Sequence, residues 1–143
     1  MSQKIIHGAP EGQDAFILKD RAIEAQRHGG AVATHIAMDD VRAQTLMDLL
    51  AFFAPEIEVI YFPAWDCLPY DRVSPNTQII GQRMKALGQL KARLDSDIKK
   101  PCLLLTTVNA VLRRVIKPCD LSSMGGLNIA VGGALNENDL KEF

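Results

Sequence analysis

The fold of this chain is decided by one short stretch, Cys102-Leu103-Leu104-Leu105-Thr106. It is apolar at successive positions and does not alternate with polar residues, which is typical of a strand buried on both faces of a parallel sheet. Three further short apolar runs predict strands at residues 4–6, 31–36 and 58–62. The sequence therefore predicts a mostly parallel sheet of four strands that is covered by helices.

Two helical patterns lie between the first three predicted strands. The first helix should end at Gly29-Gly30, because glycines commonly stop a helix, and its inward positions recur every three or four residues. These positions are Ala15, Leu18, Ala22 and Ala25. The second helix should begin at Asp39-Asp40, where acidic side chains are favourable, and end before Pro55. Its inward residues are Leu46, Leu49, Leu50 and Phe53.

Two more helices are predicted around the last strand. One has Ser74 as its cap and Pro75 in its first turn, with an apolar face made of Ile80, Met84, Leu87 and Leu94. The other starts at Thr107 and ends before Pro118, with an inward face of Val108, Val111, Leu112 and Val115. The alternation of strands and helices predicts an α/β fold with a doubly wound sheet.

A change in residue composition after Pro118 indicates a second unit. We expect residues 1–117 to form the first domain and residues 118–143 to be the truncated start of a second α/β domain, with a connection at 122–126 and a strand at 127–131. Its last helix is cut short, so we expect the chain to be the front end of a longer protein.

The composition is that of an ordinary globular protein, with 143 residues, 48% hydrophobic residues and a net charge of -1. The cysteines, Cys67, Cys102 and Cys119, lack metal-ligand spacing, so each is interpreted as a small buried hydrophobe in a reducing compartment, and no metal site is predicted. An export signal and a membrane-spanning apolar run are both lacking, which predicts a cytoplasmic protein.

The segment from Gly8 to Ala15 has the position of a phosphate-binding loop, between a predicted strand and a helix. Such a loop needs glycines, a lysine that reaches the phosphates and a hydroxyl that holds magnesium. We align Gly8 with the first glycine of such a loop, which leaves Gly12 within the turn. The lysine position then falls on Asp14, the hydroxyl position on Ala15 and the glycine position before the lysine on Gln13. These residues therefore disfavour the binding of ATP. An ordinary turn between a strand and a helix explains the same residues equally well.

A second segment, residues 61–76, is far more specific. Its motif residues are Pro63, Trp65, Asp66, Leu68, Pro69, Tyr70, Asp71, Ser74 and Pro75. The segment resembles the N-terminal region of bacterial transcription-repair coupling factors, in which a Pro-x-Trp-Asp-x-Leu-Pro-Tyr-Asp-x-x-Ser-Pro stretch leads into a helix with an arginine, here Arg83. The family's next strand and helix match residues 103–112, and the resemblance extends over residues 5–143.

The resemblance implies a fold similar to domain 1a of the excision-repair helicase subunit UvrB, a P-loop NTPase fold, with a degenerate phosphate loop. It also implies that residues after about Pro118 begin the family's docking domain for the damage sensor UvrA. The domain that binds RNA polymerase and the ATP- and magnesium-dependent motor on DNA lie outside this chain. The chain is then a non-catalytic module of a protein that releases stalled RNA polymerase and recruits UvrA for nucleotide excision repair.

Residues 72–117 contain ten basic and two acidic residues, a net charge of +8. This segment could face nucleic acid or an acidic neighbouring domain. Base-stacking aromatics are not interleaved with the charges, so a docking role is favoured over nucleic-acid binding, with an active NTPase third. The candidate interdomain or partner contacts are Arg72, Arg83, Arg113 and Arg114. The rings of Trp65 and Tyr70 could stack on a base or partner, but packing against the sheet edge is favoured.

Overall fold

The computed structural model of the chain describes residues 5–10, 12–68, 72–95 and 100–123. The chain divides into two compact units, Met1–Arg113 and Arg114–Phe143. The described elements are α1 (Gln13–Arg27), β1 (Ala33–Ala37), α2 (Asp40–Phe53), β2 (Glu58–Phe62), α3 (Thr77–Asp95), β3 (Cys102–Thr107), α4 (Val108–Val111) and α5 (Pro118–Ser123). Of these described elements, α5 lies in the second unit.

The three described strands form one parallel sheet in the order β1-β3-β2. The central strand, β3, is the apolar stretch that predicted the fold. In the register of the sheet Ala37 lies opposite Thr107 and Phe62 lies opposite Thr106, so the three strands end at the same carboxyl edge. The predicted strands in residues 31–36, 58–62 and 102–106 are thus confirmed, with small shifts of their ends.

Helices pack on both faces of this sheet, as predicted for a doubly wound arrangement. Helices α1 and α2 cover one face, where the core includes Leu18, Leu46, Leu50, Leu103 and Leu105. Helices α3 and α4 cover the other face, where the core includes Ile60, Phe62, Ala86, Cys102 and Ala110. Alternate residues of β3 belong to opposite cores, which explains why its sequence is apolar throughout.

The first helix ends, and the second helix begins, where the sequence predicted. Helix α1 ends at Arg27, and Gly29, the residue after the cap His28, has a φ of 76° that is readily adopted only without a side chain. The N–H of Gly30 donates to the carbonyl of Ala25 at 2.8 Å and that of Gly29 to Gln26 at 3.0 Å, which is the Schellman arrangement. Helix α2 is capped by Asp39, whose side chain accepts from the N–H of Arg42 at 2.7 Å.

The strand predicted at residues 4–6 is wrong for the two residues that are described. Ile5 and Ile6 lie outside any strand and are 65% and 48% exposed. Two isoleucines bury too little surface to order a strand without a paired neighbour. The strand that should lead into a phosphate-binding loop is not formed there, so the resemblance of the fold to a P-loop NTPase and to UvrB stays a prediction.

The third helix begins later than predicted and buries different residues. It starts at Thr77, and its first turn is capped by Asn76, whose side-chain oxygen accepts from the N–H of Gln78 at 2.9 Å, so Ser74 is not the cap. Its buried residues are Arg83, Ala86 and Arg93. Ile80 and Leu94, predicted to lie inward, are 38% and 71% exposed. Leu87, which was also predicted to lie inward, is partly buried against the core. Arg83 and Arg93 can lie inward because each guanidinium has partners inside the domain.

The fourth predicted helix is wrong in length and in orientation. Helix α4 contains four residues, and among its predicted inward residues Val108 and Leu112 are 45% and 78% exposed. The alanine between them, Ala110, is the residue that reaches the core. A further short helix, α5, begins at Pro118. The connection, strand and final helix predicted beyond residue 123 lie outside the described residues, and the second domain stays a prediction.

The cysteines differ in exposure, which corrects their common interpretation as buried hydrophobes. Cys102 is buried, Cys67 is intermediate and Cys119 is exposed, and all three thiols are free. Among the described residues there is no group of three histidine, cysteine or acidic side chains that could hold a metal ion.

Candidate functional site

In the turn before α1, N–H groups at the start of the helix donate hydrogen bonds to neighbouring residues. Gly8 and Gly12 have φ angles of 68° and 86°. The N–H of Gln13 donates to the carbonyl of Pro10 at 3.1 Å, and that of Ala15 donates to the side chain of Asp14 at 3.0 Å. Two of the amides that would face a phosphate in a phosphate-binding loop therefore have acceptors within the chain.

Asp14 stands where a phosphate-binding loop has its lysine, and it forms an ion pair with Arg42 in the first turn of α2. This pair joins the N-terminal ends of α1 and α2. His35 lies in β1, and burial lowers its pKa. The negative charge of Asp14 raises this pKa, and the positive charge of Arg42 lowers it. Arg42 was missed in the sequence. Its position three residues after the helix cap Asp39 gave no indication of a partner 28 residues away.

An apolar pocket of about 530 Å³ lies beside this turn, between α1 and α2. The rings of Phe16 and Phe53 form one wall with their centroids 5.0 Å apart, and Phe52 packs edge-on against Phe53. The other lining residues are Pro10, Gly12, Gln13, Thr45 and Leu49. The pocket touches the turn, but its walls supply no cation that could neutralise a phosphate.

The motif loop, residues 63–76, is held by a buried arginine. The central carbon of the Arg83 guanidinium lies over two aromatic rings, 4.0 Å from the centre of Phe62 and 4.3 Å from that of Trp65. The guanidinium also donates to the carbonyl of Pro63 at 2.5 Å. Arg83 is 3% exposed, so its expected role as a surface contact is corrected to an internal one. The packing interpretation of Trp65 agrees with this contact, whereas Tyr70 lies outside the described residues.

The far end of the motif loop is fixed by Asp66. Both of its carboxylate oxygens accept from the N–H of Asn76 at 3.2 Å, and Asn76 in turn caps α3. Asn76 was missed as a site residue, although asparagine before a helical pattern is a common cap signal. Ser74 is exposed and Pro75 is half-buried ahead of the helix. Pro69, Tyr70 and Asp71 lie outside the described residues.

Leu68, on the motif loop, is 72% exposed. The loop thus presents an apolar side chain to solvent next to the backbone that Arg83 and Asp66 hold in place. Among the described residues, no hydrogen bond or ion pair joins this loop to the turn before α1, although both lie at the carboxyl edge of the sheet. The two candidate regions are therefore separate features of that edge.

The basic segment is less exposed than its charge suggested. Arg93 is buried and bonds to Glu58 and to the carbonyl of Lys100, while its Nε has no hydrogen-bond partner. Lys91 pairs with Asp95 on the same helix. Arg113 is half-buried, whereas the cations that are exposed in the described residues include Lys85, Lys100, Arg114 and Lys117. Two of the ten basic residues of this segment, Arg83 and Arg93, thus serve the interior of the domain.

Comparison with known proteins finds relatives in several bacteria that carry the same name. The chain is 26% identical over 134 residues, 94% of its length, to the transcription-repair-coupling factor of Rickettsia bellii. It is 34% identical over 91 residues to that of Escherichia coli and 38% identical over 72 residues to that of Rickettsia typhi. The resemblance to transcription-repair coupling factors is thereby confirmed.

The chain spans only a small part of these transcription-repair coupling factors, 11% of the Rickettsia bellii protein and 7% of the Escherichia coli protein. No family model and no solved structure matches the chain. In the described part of the chain, none of the helices has the length and apolar character that crossing a bilayer requires.

Proposed function

We propose that this chain is a non-catalytic docking module of a transcription-repair coupling factor, and that it belongs to the UvrB-like front region of that protein. The intact protein, in this proposal, releases stalled RNA polymerase, and its second domain recruits UvrA. RNA polymerase and DNA are then bound by domains outside the chain, and the module contacts the remaining domains of the parent. ATP and magnesium serve the parent's motor and not this module.

The observation that carries the non-catalytic proposal is the ion pair between Asp14 and Arg42. A carboxylate occupies the lysine position, so a triphosphate would meet negative charge there. The guanidinium of Arg42 is already bound to that carboxylate. The amides of Gln13 and Ala15 have acceptors of their own, which leaves fewer donors for an anion.

Isothermal titration of the chain with ATP and magnesium tests this proposal. We expect no binding heat up to about 1 mM nucleotide, the range in which weak sites are still measurable. The matched variant is Asp14→Lys combined with Ala15→Thr, which places a lysine and a hydroxyl in the turn. Magnesium-dependent binding of ATP by the unaltered chain would contradict the proposal, whereas binding by the variant alone would support the role of these two residues.

The recruitment part of the proposal has its own test. In a pull-down with purified UvrA, we expect the 143-residue chain to bind weakly or not at all, and a chain extended through the complete second domain to bind. Tight UvrA binding by residues 1–116 would place the contact in the first domain and contradict the assignment. The pull-down needs no nucleotide, so its outcome is independent of the titration.

Nucleic-acid binding is the alternative function, motivated by the net charge of residues 72–117. It is less well supported, because Arg83 and Arg93 are buried and bonded inside the domain. Titration of a labelled oligonucleotide at two salt concentrations decides it, since phosphate contacts weaken steeply with salt. Salt-sensitive binding at micromolar protein would favour this alternative over docking alone.

A further inference from the structure

Helix α2 carries an apolar row along almost its whole length. Val41, Thr45, Leu49 and Phe53 are four residues apart, so they follow one another on the same side of the helix. Val41 is 78% exposed and Phe53 is 39% exposed. Thr45 is the polar member of the row, but its hydroxyl donates to the carbonyl of Val41 at 3.0 Å and is satisfied within the helix. The row extends over about 18 Å, because a helix rises about 1.5 Å per residue.

A second wall turns this row into a groove. Phe16 of α1 is 45% exposed, and the centre of its ring lies 5.0 Å from that of Phe53. The pocket of about 530 Å³ lies between Phe16 and the row, and Pro10 and Gly12 close one end of it. Phe52, which is 78% exposed, packs edge-on against Phe53. Phe16, Phe52 and the row on α2 thus form an apolar surface open to solvent, the α1–α2 groove, and such surfaces commonly bind partners.

The charges that border the α1–α2 groove are negative. Asp20 lies about one turn after Phe16 on α1, and Asp48 lies about one turn before Phe52 on α2. Both aspartates are exposed, and within the described residues neither of them forms an ion pair. Each helix therefore places a carboxylate beside the aromatic residues that it contributes to the groove.

The cations next to the groove in the sequence are already neutralised. Lys19 forms an ion pair with Glu56, and Arg42 forms one with Asp14. The last turn of α2 contains no basic residue, so the partial negative charge at the C-terminal end of this helix is not balanced by its own side chains. An occupant of the groove is therefore favoured if it brings positive charge together with apolar side chains.

We propose that the α1–α2 groove docks an amphipathic helix of a protein partner, with the apolar face of that helix in the groove and lysine or arginine residues beside Asp20 and Asp48. This inference rests on the proposed docking function and names the chemistry of the partner. A helix fits because its apolar residues recur every three or four positions, as do those of the row on α2. Nucleic acid and a second copy of this chain fit less well, because both would bring negative charge to these carboxylates.

The apolar part of the proposal is tested with a synthetic helix of leucine and lysine, labelled with fluorescein, whose leucines are three and four residues apart. The 143-residue chain is titrated into this peptide while fluorescence anisotropy is recorded. We expect saturable binding that Phe52→Ala weakens about tenfold, because a largely exposed ring would be buried by the peptide. Leu94→Ala, on α3 at the other face of the sheet and 71% exposed, is the matched control and should leave the affinity unchanged.

The charged part is tested with Asp20→Asn combined with Asp48→Asn. We expect this variant to bind the leucine–lysine peptide about fivefold more weakly at low salt, and the difference should shrink at high salt because ions screen exposed charges. Asp95→Asn, whose carboxylate pairs with Lys91 on α3, is the control for each removed charge. A glutamate–leucine peptide should bind at least about tenfold more weakly than the leucine–lysine peptide.

Four results would overturn the proposal. Equal binding of the glutamate–leucine and leucine–lysine peptides would show that Asp20 and Asp48 are not recognised. Equal binding of a serine–lysine peptide would show that the apolar surface is not used. A dimer of the chain in sedimentation that Phe52→Ala converts to a monomer would assign the groove to a second copy. The absence of leucine–lysine peptide binding up to about 1 mM would leave the groove without the proposed occupant.

Two checks keep these outcomes clear. Each variant must show the urea midpoint of the unaltered chain, and Val41→Ser, at the other end of the row, replaces Phe52→Ala as the test if the latter does not. The affinity of Val41→Ser for the peptide should also be lower than that of the unaltered chain. A failure of peptide binding leaves the ATP titration untouched, so the failure of this inference and that of the proposed function can be told apart.

Discussion

The indole ring of Trp65 covers the guanidinium of Arg83, with 4.3 Å between the central carbon of the guanidinium and the ring centre. This contact joins the motif loop to the middle of α3. It explains how a loop with an exposed leucine keeps a defined backbone. It also makes tryptophan emission a report on the state of the loop.

The first prediction concerns Arg83 itself. Arg83→Lys should lower the free energy of unfolding by about 2 kcal/mol, because an ammonium group cannot stack between two rings and also bond to Pro63. Urea denaturation followed by Trp65 emission measures the change. Lys85→Arg on the same helix is the control and should shift the free energy by less than about 0.5 kcal/mol. Equal urea midpoints for Arg83→Lys and the control would show that the stack contributes little.

The second prediction concerns the start of α2. Asp39→Ala should lower the free energy of unfolding by about 1 kcal/mol, because the N–H of Arg42 loses its side-chain acceptor. Asp39→Ser keeps an oxygen at the cap and should retain most of the stability. Thermal unfolding by circular dichroism compares the three proteins, and an identical loss in both variants would contradict the capping role.

The third prediction concerns pH. Burial holds the pKa of His35 below its ordinary value of 6.5, so the unfolded chain takes up a proton more readily than the folded one. This group therefore removes stability as the pH falls from about 6.5 through the lower pKa of the folded state. His35→Gln should reduce the decline of the urea midpoint between about pH 7.5 and 5. A variant that declines as steeply as the unaltered chain would assign the effect to other groups.

The fourth prediction concerns the thiols. Burial raises the pKa of Cys102 to about 11, whereas Cys119 is exposed. Because the thiolate is the reactive form, Cys119 should react with a thiol reagent at pH 8 much faster than Cys102, which should react only on unfolding. Cys119→Ser should remove the fast phase of the absorbance trace. Persistence of that phase with the same amplitude would contradict the exposure seen in the structure.

The sheet and the first two helices could be predicted from local sequence. The continuous apolar stretch at residues 102–106 required cover on both faces, and the structure supplies it with helices on each side. The glycines at 29–30 and the aspartate at 39 act through bonds to neighbouring residues, so their effect can be read locally. The short run at Ile5 and Ile6 has no such local determinant, and the structure does not form a strand there.

The candidate site could be predicted only in part, because its contacts join distant residues. The motif loop was marked by Trp65 and Asp66, but the burial of Arg83 depends on Pro63, twenty residues earlier, and on two rings that no spacing rule connects to it. Arg93 likewise bonds to Glu58 across the fold. A pattern of polar and apolar residues places such arginines at the surface, and α3 was for that reason predicted to bury Leu94 instead.

Strand β1 has a neighbour on one side only among the described strands, and its Ile36 is 48% exposed. Within the described residues, the main-chain donors and acceptors along the other side have no strand to pair with, and such an unpaired edge is a known route to association between molecules. Samples of this chain should consequently be checked for self-association by light scattering over a range of concentrations. The affinity for any partner should therefore be measured below the concentration at which copies of this chain begin to self-associate.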